Sequence, residues 1–140
     1  MITILDTVIN TTAVLKSVED PAAGGIDLFI GTTRNQSSGK NVLYLEYESY
    51  QPMALKQMEE IVAHVKRTWE VMHISIVHRI GRVEIGEASV AIAVSSVHRK
   101  EAFEACRYAI DALKRDVPIW KREYFVDGSV WVGTQDGHKQ

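Results

Sequence analysis

Residues 88–118 read ASVAIAVSSVHRKEAFEACRYAIDALKRDVP, and two different periods meet inside them. The run 88–94 is apolar at nearly every position, which predicts a strand at the centre of a sheet. From about His98, residues Ala102, Phe103, Cys106, Ala109, Ile110 and Leu113 recur at spacings of three and four. That is the pattern of a helix with one buried face, with Lys100, Glu104, Arg107, Asp111 and Lys114 facing elsewhere. Pro118 ends the pattern. A central strand followed by a one-sided helix requires a helical layer packed on a sheet.

The flanking segments fit the same scheme. Upstream, Ala54, Met58, Ile61, Val62, Val65 and Trp69 predict a second core helix, with Pro52 in its first turn. Residues 72–80 read as a strand, and Gly81 and Gly86 bracket a short segment leading to residue 88. The N-terminal ten residues suggest a strand, and Asn10, Thr11 or Thr12 could cap a short helix reaching Glu19. A strand follows from Gly24-Gly25 to about Gly31. Residues 35–41 carry no apolar anchor and read as an exposed, mobile loop. The strand after it starts at Val42, with Leu43, Leu45 and Tyr47 on one side and Tyr44, Glu46 and Glu48 on the other. Downstream, Ile119 to Val132 is β-prone and adds strands. Strands and helices interchange along the chain without repeats, so a two-layer α+β fold is expected.

Composition narrows the function classes. With 140 residues, 46% of them hydrophobic and 24% charged, the chain is expected to form one domain spanning 1–140. The formal charge of -2 advertises neither nucleic acid nor an anionic membrane, so any basic site must be local. A single Cys106 and the lack of a leader-like or membrane-length apolar run point to a cytoplasmic setting. No spacing of His, Cys or acidic residues resembles a zinc or calcium box, and the glycines match neither the P-loop nor the dinucleotide fingerprint.

Basic residues cluster where a sheet hands over to a helix. His98 and Arg99, with Lys100 beside them, stand at the predicted helix start, where outward amide groups favour a phosphate. The structural alternative is that Ser95 or Ser96 merely caps the helix and the cations are solvated. Lys114 lies in the last turn, where the helix dipole alone would favour a cation. Lys121 stands beside Trp120 and Arg122 just after Pro118, where partial desolvation would lower its proton affinity. Lys114 and Lys121 can converge across the proline. Cys106 lies on the apolar stripe and reads as a small hydrophobe, and His78-Arg79 admits a purely structural role.

The string Ser96-Val97-His98-Arg99, followed by Phe103-Glu104-Ala105 and by Lys114 through Pro118-Ile119-Trp120-Lys121-Arg122-Glu123, resembles the catalytic large subunits of molybdopterin synthase. The resemblance extends back through Phe29-Ile30-Gly31-Thr32-Thr33-Arg34-Asn35, Leu45-Glu46-Tyr47, His78-Arg79-Ile80-Gly81-Arg82-Val83 and Gly86-Glu87, and so runs through nearly the whole chain. Thr33 departs from it, standing where a valine is usual, and the tail lacks an acidic residue often found after the Trp-Val pair at 131–132.

The resemblance implies an α/β-hammerhead type of fold with an additional antiparallel β-sheet. It implies a homodimer core carrying a small ubiquitin-like subunit at each end, a heterotetramer in all. The small subunit's C-terminal Gly-Gly, activated as a thiocarboxylate, would deliver sulfur to cyclic pyranopterin monophosphate to build the molybdopterin dithiolene. By position, Lys121 and Lys114 correspond to the catalytic lysines, and Arg34, His98 and Arg99 to the anion and substrate ligands, with Arg34 a candidate for contribution across the dimer. Arg122 and Arg107 are further basic candidates nearby. The implied chemistry calls for no metal or redox cofactor. Two other classes stand beside this one: a non-enzymatic anion-binding or scaffold subunit for a partner's acidic C-terminal tail, and a single-stranded nucleic-acid binder, the latter without a supporting module or net basic charge.

Overall fold

In the computed structural model, residues 1–134 are described, and among them nine strands and three helices form a mixed α+β fold with two sheets. The first sheet runs β1(Ile2–Leu5), β5(Val71–Arg79), β7(Ala88–Ser96) and β2(Gly25–Thr32) in spatial order. β1 is parallel to β5, and the other pairings are antiparallel. The second sheet is antiparallel and pairs β3(Gln36–Ser37), β4(Lys40–Ser49), β8(Ile119–Phe125) and β9(Val130–Thr134), with β6(Gly81–Glu84) also on β4. Among the described residues no helix is long and apolar enough to cross a membrane.

β7 is buried from Ser89 to Ser96 because both its faces are covered. Val90, Ile92 and Val94 face the core beneath α2(Gln51–Thr68) and α3(Arg99–Asp116). Ala91 and Ala93 face the other way, against Val14 and Val18 of the segment containing α1(Thr11–Lys16). The alternation of alanine with larger residues matches this asymmetry: a short helix can sit close only over small side chains. Asn10 caps α1, accepting from the Ala13 N–H at 3.0 Å. Regular α1 stops at Lys16 rather than Glu19, where the Ser17 hydroxyl lies 2.6 Å from the Val14 carbonyl and tighter i to i−3 bonds carry the chain to Glu19.

Three expectations are corrected by packing. Residues 35–41 form a hairpin, not a mobile loop: Gln36 and Ser37 pair with Asn41 and Lys40, and Ser38 and Gly39 both take positive φ, as a two-residue primed turn requires. Leu43 is half exposed because the β4–β8 register shifts between Val42 and Tyr44, so Val42, Leu45 and Tyr47 point inward instead. Phe103 is also exposed. The buried face of α3 runs through Ala102, Ala105, Cys106, Ala109, Ala112 and Leu113, and Phe103 lies about 100° around the helix from Ala102. Neither Ser95 nor Ser96 caps α3. His98 holds the cap position without a side-chain bond, and the Ser96 hydroxyl donates to the His98 carbonyl at 2.5 Å.

Met58 is fully buried between α2 and the sheet. Met58→Ala is expected to lower unfolding free energy by about 2–5 kcal/mol. The midpoint of chemical denaturation should fall while its slope holds, since the cavity weakens the native state without altering the surface exposed on unfolding.

Candidate active site at the seam of two sheets

A cleft of about 310 Å³ opens where the two sheets meet, and Arg34, Lys114 and Lys121 all line it. Each arrives on a different element. Arg34 follows the end of β2, Lys114 lies in the last turn of α3, and Lys121 is the third residue of β8. Only Val117 and Pro118 separate α3 from β8, and a lysine from each of these two elements lines the cleft.

The inward row of β8 is Ile119, Lys121, Glu123 and Phe125, fixed by the two-residue period of a strand. Ile119, Glu123 and Phe125 are buried. An ammonium and a carboxylate therefore replace the apolar pair expected at the middle of that row. They satisfy one another, with Lys121 Nζ 3.3 Å from Glu123 Oε1 and both side chains largely shielded. Among the described residues, three cationic side chains against this one carboxylate leave the lining net positive. Tyr47, opposite Lys121 across β4 and β8, also faces the cleft. Burial raises its hydroxyl pKa, so the group stays protonated and a donor, with Ser89 as a hydrogen-bond neighbour.

Behind Tyr47 lies His78, 1% exposed, with the two rings edge to face at 5.2 Å. Its Nδ1 is 2.7 Å from the Arg79 carbonyl, so that nitrogen carries the proton and donates. Burial, reinforced by the nearby Lys114 ammonium, pushes its pKa down to about 4. His78 thus keeps a second charge away from the lysines. Cys106 is buried with its thiol pushed up to about 12 by desolvation, which leaves it unreactive. Among the described residues no group of three or more His, Cys, Asp or Glu is placed to hold a metal ion.

The remaining site candidates lie elsewhere. Arg122 alternates with Lys121 and projects from the opposite, exposed face, where it approaches Glu48 at 3.8 Å. His98 and Arg99 stand past the far end of β7. Ser89 borders the cleft, and seven residues at about 3.3 Å each separate it from Ser96 by roughly 23 Å. One protomer therefore cannot bring His98 and Arg99 to Lys121. Arg107 is an exposed helix residue, 3.8 Å from Asp111. Sequence reasoning missed Glu123, Tyr47 and Ser89 as cleft residues. The usable signal for Glu123 was its phase with Ile119 and Phe125.

A family model described as MoaE protein matches residues 4–116, a span that includes Arg34, His98, Arg99 and Lys114. The chain is 50% identical over 132 residues to the molybdopterin synthase catalytic subunit of Bacillus subtilis, covering 94% of this chain and 84% of that protein. It is 47% identical over 136 residues to the human molybdopterin synthase catalytic subunit, covering 92% and 72% respectively. Among solved structures, the X-ray crystal structure of molybdopterin synthase from Staphylococcus aureus superposes with a TM-score of 0.87 at 40% identity, over 96% of both chains.

Between its ordinary value of 6.5 and about 4, His78 binds a proton in the unfolded chain but not in the folded one. Stability is therefore expected to fall as pH drops through that window, by up to about 3 kcal/mol from this group. Urea denaturation at pH 7, 5.5 and 4.5 should show the decline, and His78→Leu should flatten it.

Proposed function

The chain belongs to the MoaE protein family, and we propose on that premise that it is the catalytic subunit of a molybdopterin synthase. In this reading it is a sulfurtransferase. It accepts sulfur from the C-terminal thiocarboxylate of a small ubiquitin-like subunit and passes it to cyclic pyranopterin monophosphate, two sulfurs completing the dithiolene. The observation that carries the reading is the convergence of Arg34, Lys114 and Lys121 on one cleft.

The chemistry matches those groups. Substrate phosphate and incoming thiocarboxylate are both anions, and a cleft whose described lining carries three cations and one carboxylate attracts them. Arg34 serves the phosphate with a planar pair of donors. Lys121 and Lys114 offset negative charge that develops as the cyclic phosphate opens, and they exchange protons with the reacting atoms. Glu123 holds Lys121 in place until an anion arrives. The volume of about 310 Å³ is at the lower end of small-molecule sites and suits one ligand with a slender peptide end.

His98 and Arg99 enter this reading through a second protomer. The edge strand β2 exposes Ile26, Phe29 and Ile30, and Val97 and Phe103, also exposed, flank the start of α3. Pairing two copies over these apolar residues would cover them and place one protomer's His98 and Arg99 near its partner's cleft. Crossing by His98 and Arg99 leaves Arg34 on the same protomer as the lysines. The homodimer, with a small subunit at each end, is the proposed assembly. A scaffold subunit would explain the positive charge, but it gives no role to two lysines brought together from a helix end and a strand interior.

Reconstitution with thiocarboxylated small subunit and cyclic pyranopterin monophosphate is the test. The wild-type chain is expected to form molybdopterin, and Lys121→Ala or Lys114→Ala to reduce turnover by at least about a hundredfold with circular dichroism unchanged. Normal turnover in both variants would remove the lysines from the mechanism. Failure of the wild-type chain would remove the reaction.

A further inference from the structure

Arg79 ends β5 with its guanidinium in the interior. Its Nη1 donates to Glu87 Oε1 at 3.0 Å and its Nη2 to the Arg82 carbonyl at 2.8 Å. The same Glu87 oxygen accepts the Glu84 N–H at 2.9 Å. One ion pair thus fixes the segment 82–87, including the turn where Gly86 takes φ +83°.

That segment in turn grips the chain just before the cleft. The Thr33 N–H donates to the Glu87 carbonyl at 3.1 Å, and the Gly86 N–H donates to the Thr33 carbonyl at 2.9 Å. Thr33 is buried, and the next residue is Arg34. On the other side of Arg34, the Asn35 carbonyl accepts the Val42 N–H at 2.9 Å. The backbone of Arg34 is therefore held at both neighbours, by β4 on one side and by the Arg79–Glu87 turn on the other. As a contribution to stability alone, a partly buried ion pair is a weak device, because desolvation offsets much of its attraction. As a means of setting a backbone position it is effective, since its hydrogen bonds are directional.

We propose that Arg79 and Glu87 are positioning residues for Arg34: their ion pair fixes the turn that clamps Thr33 and so sets where the Arg34 guanidinium stands beside Lys114 and Lys121. This rests on the reading of Arg34 as the ligand for the substrate's phosphate. Neither Arg79 nor Glu87 lines the cleft, so both act through the backbone of residue 33.

Glu87→Gln keeps the shape and an acceptor for the Glu84 N–H but removes the charge facing Arg79. In the complex with thiocarboxylated small subunit, it is expected to raise KM for cyclic pyranopterin monophosphate about tenfold while kcat changes less than about twofold. In an Arg34→Ala background the same substitution should have almost no further effect on KM, because its route of action is gone. Glu87→Asp, which keeps the charge, should restore part of the wild-type KM. A loss of kcat without a KM change, or a Glu87→Gln effect that adds in full to that of Arg34→Ala, overturns the proposal. If Arg34→Ala raises KM and Glu87→Gln alone does not, the positioning role fails and the reading of Arg34 stands. If Arg34→Ala leaves KM unchanged, both fail. Should Glu87→Gln not fold, Gly86→Ala strains the same turn without touching the ion pair. It should show the same KM-selective signature, and its absence overturns the proposal.

Discussion

Strand β7 has no solvent face along most of its length, and this double burial organises the molecule. Antiparallel pairing to β5 and β2 consumes its backbone groups, larger side chains on one face meet α2 and α3, and alanines on the other admit the α1 segment. A strand so enclosed can present polar chemistry only at its ends. One end, at Ser89, borders the cleft with the lysines. The other, at Ser96, leads into His98 and Arg99. The roughly 23 Å between those ends, at about 3.3 Å per residue, follows directly from the length of the buried strand. A site using both groups must therefore be assembled from two chains.

The second sheet solves a different problem, that of holding charge in a largely shielded place. Lys121 and Glu123 occupy inward positions between Ile119 and Phe125, so the charged pair is flanked by apolar packing. His78 beneath them stays neutral because burial and Lys114 both oppose its protonation. Tyr47 stays protonated for the corresponding reason. Among the described residues the result is a cleft lined by three cations and one carboxylate, with polar but uncharged groups behind them. Such an arrangement favours anions without demanding that a neighbouring group change its protonation state when they arrive.

The sequence was most informative where one period ran uninterrupted. The apolar run 88–94 and the stripes on α2 and α3 reported their environments directly, because nearly every residue in them obeys the same burial rule. It was least informative where one residue changes the phase. The bulge at Leu43 exchanges inside for outside on β4, and nothing local marks it. The polar run 35–41 lacked apolar anchors yet forms a hairpin, since Ser38 and Gly39 close it by backbone conformation. Phe103 shows a related difficulty: on a helix face already lined by alanines, an aromatic residue one step away points outward.

The sequence alone determined the mixed α+β class, the central strand, the two long helices, and a set of basic residues whose order resembles one family. These follow from local periodicity and residue identity, which survive without knowledge of distant contacts. Only the tertiary structure decided which cations share a cavity. Arg34, Lys114 and Lys121 meet although 87 positions separate the first from the last, whereas Arg122, adjacent to Lys121, faces away, and His98 stands at the far end of a strand. Strand alternation turns neighbours apart and sheet pairing brings remote segments together, so proximity along the chain carries little information about proximity of charge.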